Sequence, residues 1–157
     1  MPAVNDRDYL YSDKFDGDEV IADLWMGGYP LEGEVPPDWA MVSVGWISSS
    51  RHHPGPRIEF QMDDREGAVP TRGQLSILAA FINAHHEEGT PVFVHCTAGI
   101  NRSGLVLGHF LCSRRGFTGE QAIALIRSKR KSHGTPMQPL CNRSFAEALR
   151  QWFPGGA

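Results

Sequence analysis

Apolar and polar positions along this chain fall into short blocks whose period changes. Residues 20–26, VIADLWM, are mostly apolar and close on Gly27-Gly28, which predicts a short strand. Residues 41–47 read the same way, and 30–37, opened and closed by prolines, read as the loop between them. In residues 57–62, Ile58, Phe60 and Met62 alternate with Arg57, Glu59 and Gln61, the two-residue period of a third strand. Residues 48–56 and 63–73 are polar and turn-rich, and predict loops. From Gln74 to Glu88 the period becomes helical, with apolar residues at 75, 78, 81 and 82. Gly89 and Thr90-Pro91 end that helix and open an apolar run over 92–94, suited to a strand buried on both faces. An almost wholly apolar helix is predicted over 102–113. Thr118 with Gln121 resembles a capping box and starts a helix through Arg130, with Ile123 and Ile126 inward. A last amphipathic helix over 142–153 is anchored by Phe145, Leu149 and Trp152.

Strands alternating with helices predict an α/β fold: a central, mainly parallel sheet of four to five strands with helices on both faces. Such a sheet places its ligand site at the carboxyl ends of its strands. The 157 residues suit one domain spanning 1–157, with the polar, acidic residues 1–19 as a partly ordered arm. Hydrophobic residues at 41% and charged residues at 21% are globular values and exclude a disordered or fibrous chain. The longest apolar stretches, 75–84 and 104–112, are too short to span a membrane, and no secretory signal is visible. Three cysteines make no disulfide framework, so a reducing, cytoplasmic location is expected.

The net charge of −3 hides an asymmetry. Residues 1–24 carry seven acids and two bases, whereas the chain from Arg102 onward carries nine bases and two acids. About half the chain would repel phosphate, which argues against a nucleic-acid partner. A local anion site in the C-terminal third stays open.

The stretch His95-Cys96-Thr97-Ala98-Gly99-Ile100-Asn101-Arg102-Ser103-Gly104 lies between the buried strand and the apolar helix. A turn of this length containing Gly99 can aim successive backbone N–H groups at one anion, a nest formed by Thr97, Ala98, Gly99, Ile100, Asn101 and Arg102. The helix that follows adds free N–H groups and its positive dipole end. Arg102 supplies a planar fork for two phosphate oxygens. In that field Cys96 is expected to ionise more readily than a free thiol and to face the bound phosphorus as a nucleophile. A cysteine and an arginine with five residues between them are common by chance. The combination with His95, Gly99 and Ser103, between a strand and a helix, is specific.

HCTAGINRSG resembles the His-Cys-x-x-Gly-x-x-Arg-Ser/Thr signature of the cysteine-dependent protein tyrosine phosphatases. The short chain looks like their dual-specificity branch. The resemblance runs from about Leu24 to the helix carrying Phe145. It implies a phosphocysteine intermediate, with no metal and no cofactor. Cys96 would be the nucleophile, Arg102 the phosphate clamp, Ser103 the stabiliser of the leaving thiolate, and His95 the residue that orients and tunes the cysteine. The family also uses an Asp as general acid and base, about thirty residues before the cysteine. Asp63 and Asp64 both stand there, and the match favours Asp64.

Other residues attract chemical readings with plainer alternatives. His52-His53 and His85-His86 are neighbours on the chain without a completing ligand set, so exposed loop and helix-end histidines are expected, not a metal site. His109 reads as a packed, hydrogen-bonded core residue. Cys112 is a candidate partner for a protective disulfide with Cys96, against simple core packing, and Cys141 is a weaker one. The basic run 128–131 reads as a steering patch or a solvated helix end, and Arg130 resembles basic residues at the active-site rim of relatives.

The expected substrate is a phosphorylated protein, carrying phosphotyrosine, with phosphoserine and phosphothreonine as further candidates. Two alternatives compete. One is a non-protein phosphoester: RNA 5′-triphosphate, because Asn101 resembles the loop of that branch, or a phosphoinositide, although the loop lacks the lysines usual there. The other is a non-catalytic phosphate-binding module.

Overall fold

The computed structural model describes residues 16–30, 33–45, 52–131 and 137–156. Nine elements are assigned among them. Strands β1 (Gly17–Ile21), β2 (Leu24–Gly27), β3 (Ala40–Ser43) and β4 (Arg57–Glu59) precede helix α1 (Arg72–His86) and strand β5 (Val92–His95). Helices α2 (Arg102–Arg115), α3 (Gly119–Lys129) and α4 (Arg143–Trp152) follow. The five strands form one sheet in the order β1-β2-β5-β3-β4. Only β1 and β2 are antiparallel; β5 runs parallel to both β2 and β3, and β3 parallel to β4.

The expected single strand over 20–26 is instead a hairpin. Its continuous apolar run hides a turn at Ala22-Asp23, where Asp23 takes a positive φ of 64°. Asp is one of the few residues that tolerate this backbone, because its short side chain bonds locally. Residues 17–19, expected in the arm, pair with β2, and residues 1–15 lie outside the described residues. The strands expected at 41–47 and 57–62 are shorter, and residues 46–51 lie outside the described residues. Helix α1 begins two residues before the expected start because Thr71 caps it, accepting from Gln74 N at 3.2 Å while Gln74 Oε1 accepts from Thr71 N. The capping box at Thr118 and Gln121 is present as expected, but α3 stops at Lys129.

Central strand β5 is fully buried along its length, as its unbroken apolar run predicts. Val92 and Val94 face a core shared with Leu24, Met26, Ala40, Val42 and the buried faces of the four helices. Phe93 faces the other way, into a cluster with Trp25, Val35, Trp39 and Met41 that contains no residue of those helices. Helix α2 is apolar on every side because it is covered on every side: Arg102 through Cys112 are all buried. Among the described residues no helix is long and apolar enough to cross a membrane.

Strand β5 lies between β2 and β3 and runs parallel to both, so the three strands open their carboxyl ends on the same edge of the sheet, where parallel sheets place their ligand sites. His95 is the last residue of β5.

Candidate active site

Immediately after His95 the chain turns through residues 96–101 into α2. Gly99 adopts a φ of 70°, and a Cβ there would fall 2.3 Å from the carbonyl carbon of Gly27 and 2.6 Å from Arg130 Nη2. Only glycine fits this corner. The turn delivers Gly99 N–H to Cys96 Sγ at 3.1 Å. Ser103, in the first turn of α2, places Oγ 3.4 Å from the same sulfur. Cys96 is 2% exposed, so its sulfur is enclosed by donors at a helix N-terminus.

Arg102 is likewise buried. Its Nη1 donates to the Met62 carbonyl at 3.4 Å, a long contact, and its Nε has no hydrogen-bond partner among the described residues. A buried, under-bonded guanidinium is costly by itself and suited to an anion that arrives with the substrate. Ile100 and Asn101 are buried, whereas Thr97 and Ala98 are exposed at the mouth.

His95 bonds Ser43 and the backbone of Cys96. Its Nε2 lies 2.6 Å from Ser43 Oγ, and its Nδ1 is 3.4 Å from the Cys96 carbonyl. Burial pushes its pKa down to about 4, against the opposing pulls of the Cys96 carbonyl and Glu59. A neutral ring that donates from Nδ1 and accepts at Nε2 satisfies both contacts. His95 therefore fixes the backbone of Cys96 through strands β3 and β5.

The two candidate carboxylates separate clearly. Asp63 turns to an exposed ion pair with Arg65 at 3.0 Å. Asp64 turns to the loop that follows Cys96, accepting from Asn101 Nδ2 at 3.1 Å, and to Asn142, accepting from its Nδ2 at 3.0 Å.

Arg130 carries a correction. The basic run suggested a rim or solvated cation, but the Arg130 side chain is fully buried. Its Nε donates to Gly99 O at 2.8 Å, its Nη2 to Ala98 O at 3.1 Å, and its Nη1 pairs with Asp16 and Asp18 at 2.6 and 2.8 Å. Burial disfavours its charge, but the two aspartates outweigh that and raise its pKa. No pattern in the sequence pointed to this ion pair across 112 positions.

The remaining candidates fall outside the site. His53 was expected to be exposed but is buried, its Nε2 against the Trp39 carbonyl. His86 bonds the Ala22 carbonyl and Arg115. His109 is buried edge-on against Trp152 and Phe153, yet its Nδ1 has no hydrogen-bond partner among the described residues, contrary to expectation. All three cysteines are free thiols; burial pushes Cys112 up to about 12, while Cys141 is exposed and receives Asn101 Nδ2 at 3.6 Å. Among the described residues no three His, Cys, Asp or Glu side chains cluster as metal ligands.

A mainly parallel sheet whose central strand leads into a cysteine enclosed by backbone and hydroxyl donors, beside a buried arginine, is the arrangement of a candidate cysteine-based phosphate site. The comparisons agree with that class. The family model for the dual specificity phosphatase catalytic domain matches residues 46–153, and the chain belongs to that family. Protein tyrosine phosphatase domain-containing protein 1 of Danio rerio is 41% identical over 59 residues, 37% of this chain and 8% of the relative. The tyrosine-protein phosphatase CDC14 homolog of Schizosaccharomyces pombe is 35% identical over 72 residues, 45% of this chain and 13% of the relative. The chain thus spans only a small part of the length of these curated relatives. A human tyrosine phosphatase-like serine/threonine/tyrosine-interacting protein superposes with a TM-score of 0.73 at 17% identity, covering 87% of this chain and 95% of that one, which shows a shared fold.

Proposed function

We propose that this chain is a dual-specificity protein phosphatase that hydrolyses phosphotyrosine, and phosphoserine or phosphothreonine, through a phosphocysteine intermediate. The observation that carries this reading is the convergence of Gly99 N–H and Ser103 Oγ on Cys96 Sγ, beside the under-bonded Arg102.

In the first step the Cys96 thiolate forms a sulfur–phosphorus bond as the phosphorus–oxygen bond to the leaving group breaks. Arg102 and the loop N–H groups hold the phosphoryl oxygens, and Asp64 gives its proton to the departing oxygen. In the second step a water oxygen bonds to phosphorus, its proton passes to Asp64, and the cysteine leaves as a thiolate accepting from Ser103 Oγ–H. Asp63, paired outward with Arg65, takes no part.

Family membership and the tyrosine-phosphatase names of the relatives support a phosphoprotein substrate. The RNA 5′-triphosphate alternative drew on Asn101, but that side chain is engaged with Asp64 and with the Asn142 backbone. The free cysteines fit a reducing, cytoplasmic setting.

The test is hydrolysis of an aryl phosphate and of phosphotyrosyl and phosphothreonyl peptides by the wild type and by Cys96→Ser, with a metal chelator present. The variant should lose at least about a thousand-fold in turnover. Retained hydrolysis in Cys96→Ser, or a requirement for divalent metal, overturns the reading.

A further inference from the structure

The loop that carries Asp64 follows β4. It is docked on the N-terminus of α4, seventy-eight positions later in the chain. Glu66 accepts from the backbone N–H groups of Arg143 at 2.8 Å and Ser144 at 3.0 Å, capping the helix from outside. Gly67 N donates to Ser144 Oγ at 3.0 Å. Asn142 has two duties. Its Oδ1 is the N-cap acceptor for Phe145 N at 3.3 Å, and its Nδ2 donates to Asp64 Oδ1 at 3.0 Å and to Arg65 O at 3.1 Å.

Asn101 completes the arrangement from the phosphate loop. Its Nδ2 donates to the other Asp64 oxygen, and its Oδ1 accepts from Asn142 N at 2.9 Å. It stands at the N-cap position of α2 but makes no side-chain cap bond there, so its amide is fully committed to joining three segments. Both oxygens of Asp64 are thus gripped by amides, one from the loop that would hold the phosphate and one from α4. The geometry ties the distance between the Asp64 carboxylate and the Cys96 thiol to two side chains that hold the carboxylate by its oxygens.

We propose that Asn101 and Asn142 are positioning residues for leaving-group protonation, an amide bracket that sets Asp64 against the bound phosphoester. This inference rests on the phosphatase reading above and on Asp64 as its acid. A mispositioned acid should hurt only when the leaving oxygen needs its proton. Phenol, with a pKa of ~10, needs it, and a dinitrophenol leaves without it.

The experiment measures kcat/KM, which reports the first phosphoryl transfer, for phenyl phosphate and dinitrophenyl phosphate. The variants are Asn101→Ala, Asn142→Ser and Asp64→Asn. Serine at 142 keeps an N-cap acceptor, so α4 should still start correctly, and thermal unfolding checks it. Each bracket variant should lose on the order of ten-fold on phenyl phosphate and under about two-fold on the dinitrophenyl ester, a partial copy of Asp64→Asn, whose loss should reach roughly a hundred-fold. Equal losses on the two substrates, or none, in the bracket variants overturn the proposal while leaving the phosphatase reading intact. An Asp64→Asn enzyme with no leaving-group dependence overturns the bracket together with its acid. Retained activity in Cys96→Ser is the separate signature that the phosphatase reading has failed. If Asn101→Ala does not fold, Asn142→Ser decides alone.

Discussion

Arg130 Nε donates to the carbonyl oxygen of Gly99 at 2.8 Å, from a side chain with no solvent exposure. With Nη2 on the Ala98 carbonyl, the guanidinium draws two successive carbonyls to one side of the loop, and the Gly99 N–H is left pointing at Cys96 Sγ. Asp16 and Asp18 hold the guanidinium from behind. The loop is therefore shaped in part by a residue that follows α3 and by two residues at the start of the sheet. Arg130→Met would strand both aspartates and both carbonyls, and should cost about 3 kcal/mol of stability in urea unfolding. Arg130→Lys keeps the charge but has no planar fork, so it should lose less stability while still weakening inhibition by vanadate several-fold. Unchanged vanadate inhibition in both variants would show that the loop keeps its shape unaided.

Gly99 is the second test of the loop. A methyl group there meets Gly27 backbone atoms at 2.3 and 2.6 Å, and the backbone already sits at a φ of 70°. The strain cannot be relieved by a flexible side chain, because β2 is itself locked into the sheet next to β5. Gly99→Ala should therefore displace the loop and cut kcat/KM for an aryl phosphate by at least about a hundred-fold, with most of the fold retained. Circular dichroism alongside kinetics checks this; near-normal activity would mean that the loop geometry is not what activity requires.

These two cases show why the site was only partly legible in the sequence. Cys96, Gly99, Arg102 and Ser103 are adjacent, and each has a chemical reason to be its own residue type, so a single stretch carried them. The helices were legible from their period and from the Thr118 capping box. Asp23 was not, because an apolar run broken by one Asp in a positive-φ turn looks like one strand. Arg130 was hidden because a basic residue among Ser128, Lys129 and Lys131 gives no local sign of burial, and its aspartate partners lie more than a hundred positions away. Asn142 read as a helix start, and nothing local marks its second bond to Asp64.

The role proposed for Ser103 separates the two proposed chemical steps. Its Oγ lies 3.4 Å from Cys96 Sγ, where it can donate to a thiolate that is expelled in the second step. Losing that donor should raise the barrier for breaking the sulfur–phosphorus bond and leave the first transfer nearly untouched. Ser103→Ala should show kcat reduced by about ten- to a hundred-fold with kcat/KM changed by less than about three-fold. Rapid-mixing kinetics should show a burst of aryl alcohol equal to the enzyme present, and mass spectrometry should find the phosphorylated cysteine. Equal falls in kcat and kcat/KM, without a burst, would place Ser103 in the first step instead.

Two buried histidines make the fold sensitive to acid. Burial pushes His95 to about 4, and burial with the nearby Arg72 cation does the same to His109. Both values lie below the 6.5 of an exposed imidazole, so between pH 6.5 and 4 the unfolded chain binds protons that the native state refuses. The histidines' contribution to stability is then fully present above about pH 6.5 and is lost as the pH falls toward 4. His95 cannot be removed without disturbing Cys96, but His109 lies away from the site against Trp152 and Phe153, with Nδ1 unpartnered among the described residues. His109→Leu keeps the volume and deletes one titration. Relative to wild type it should gain about 2 kcal/mol more at pH 5 than at pH 8, read from urea unfolding at the two pH values. A difference that does not change with pH would mean that His109 titrates in the native protein much as it does in the unfolded chain.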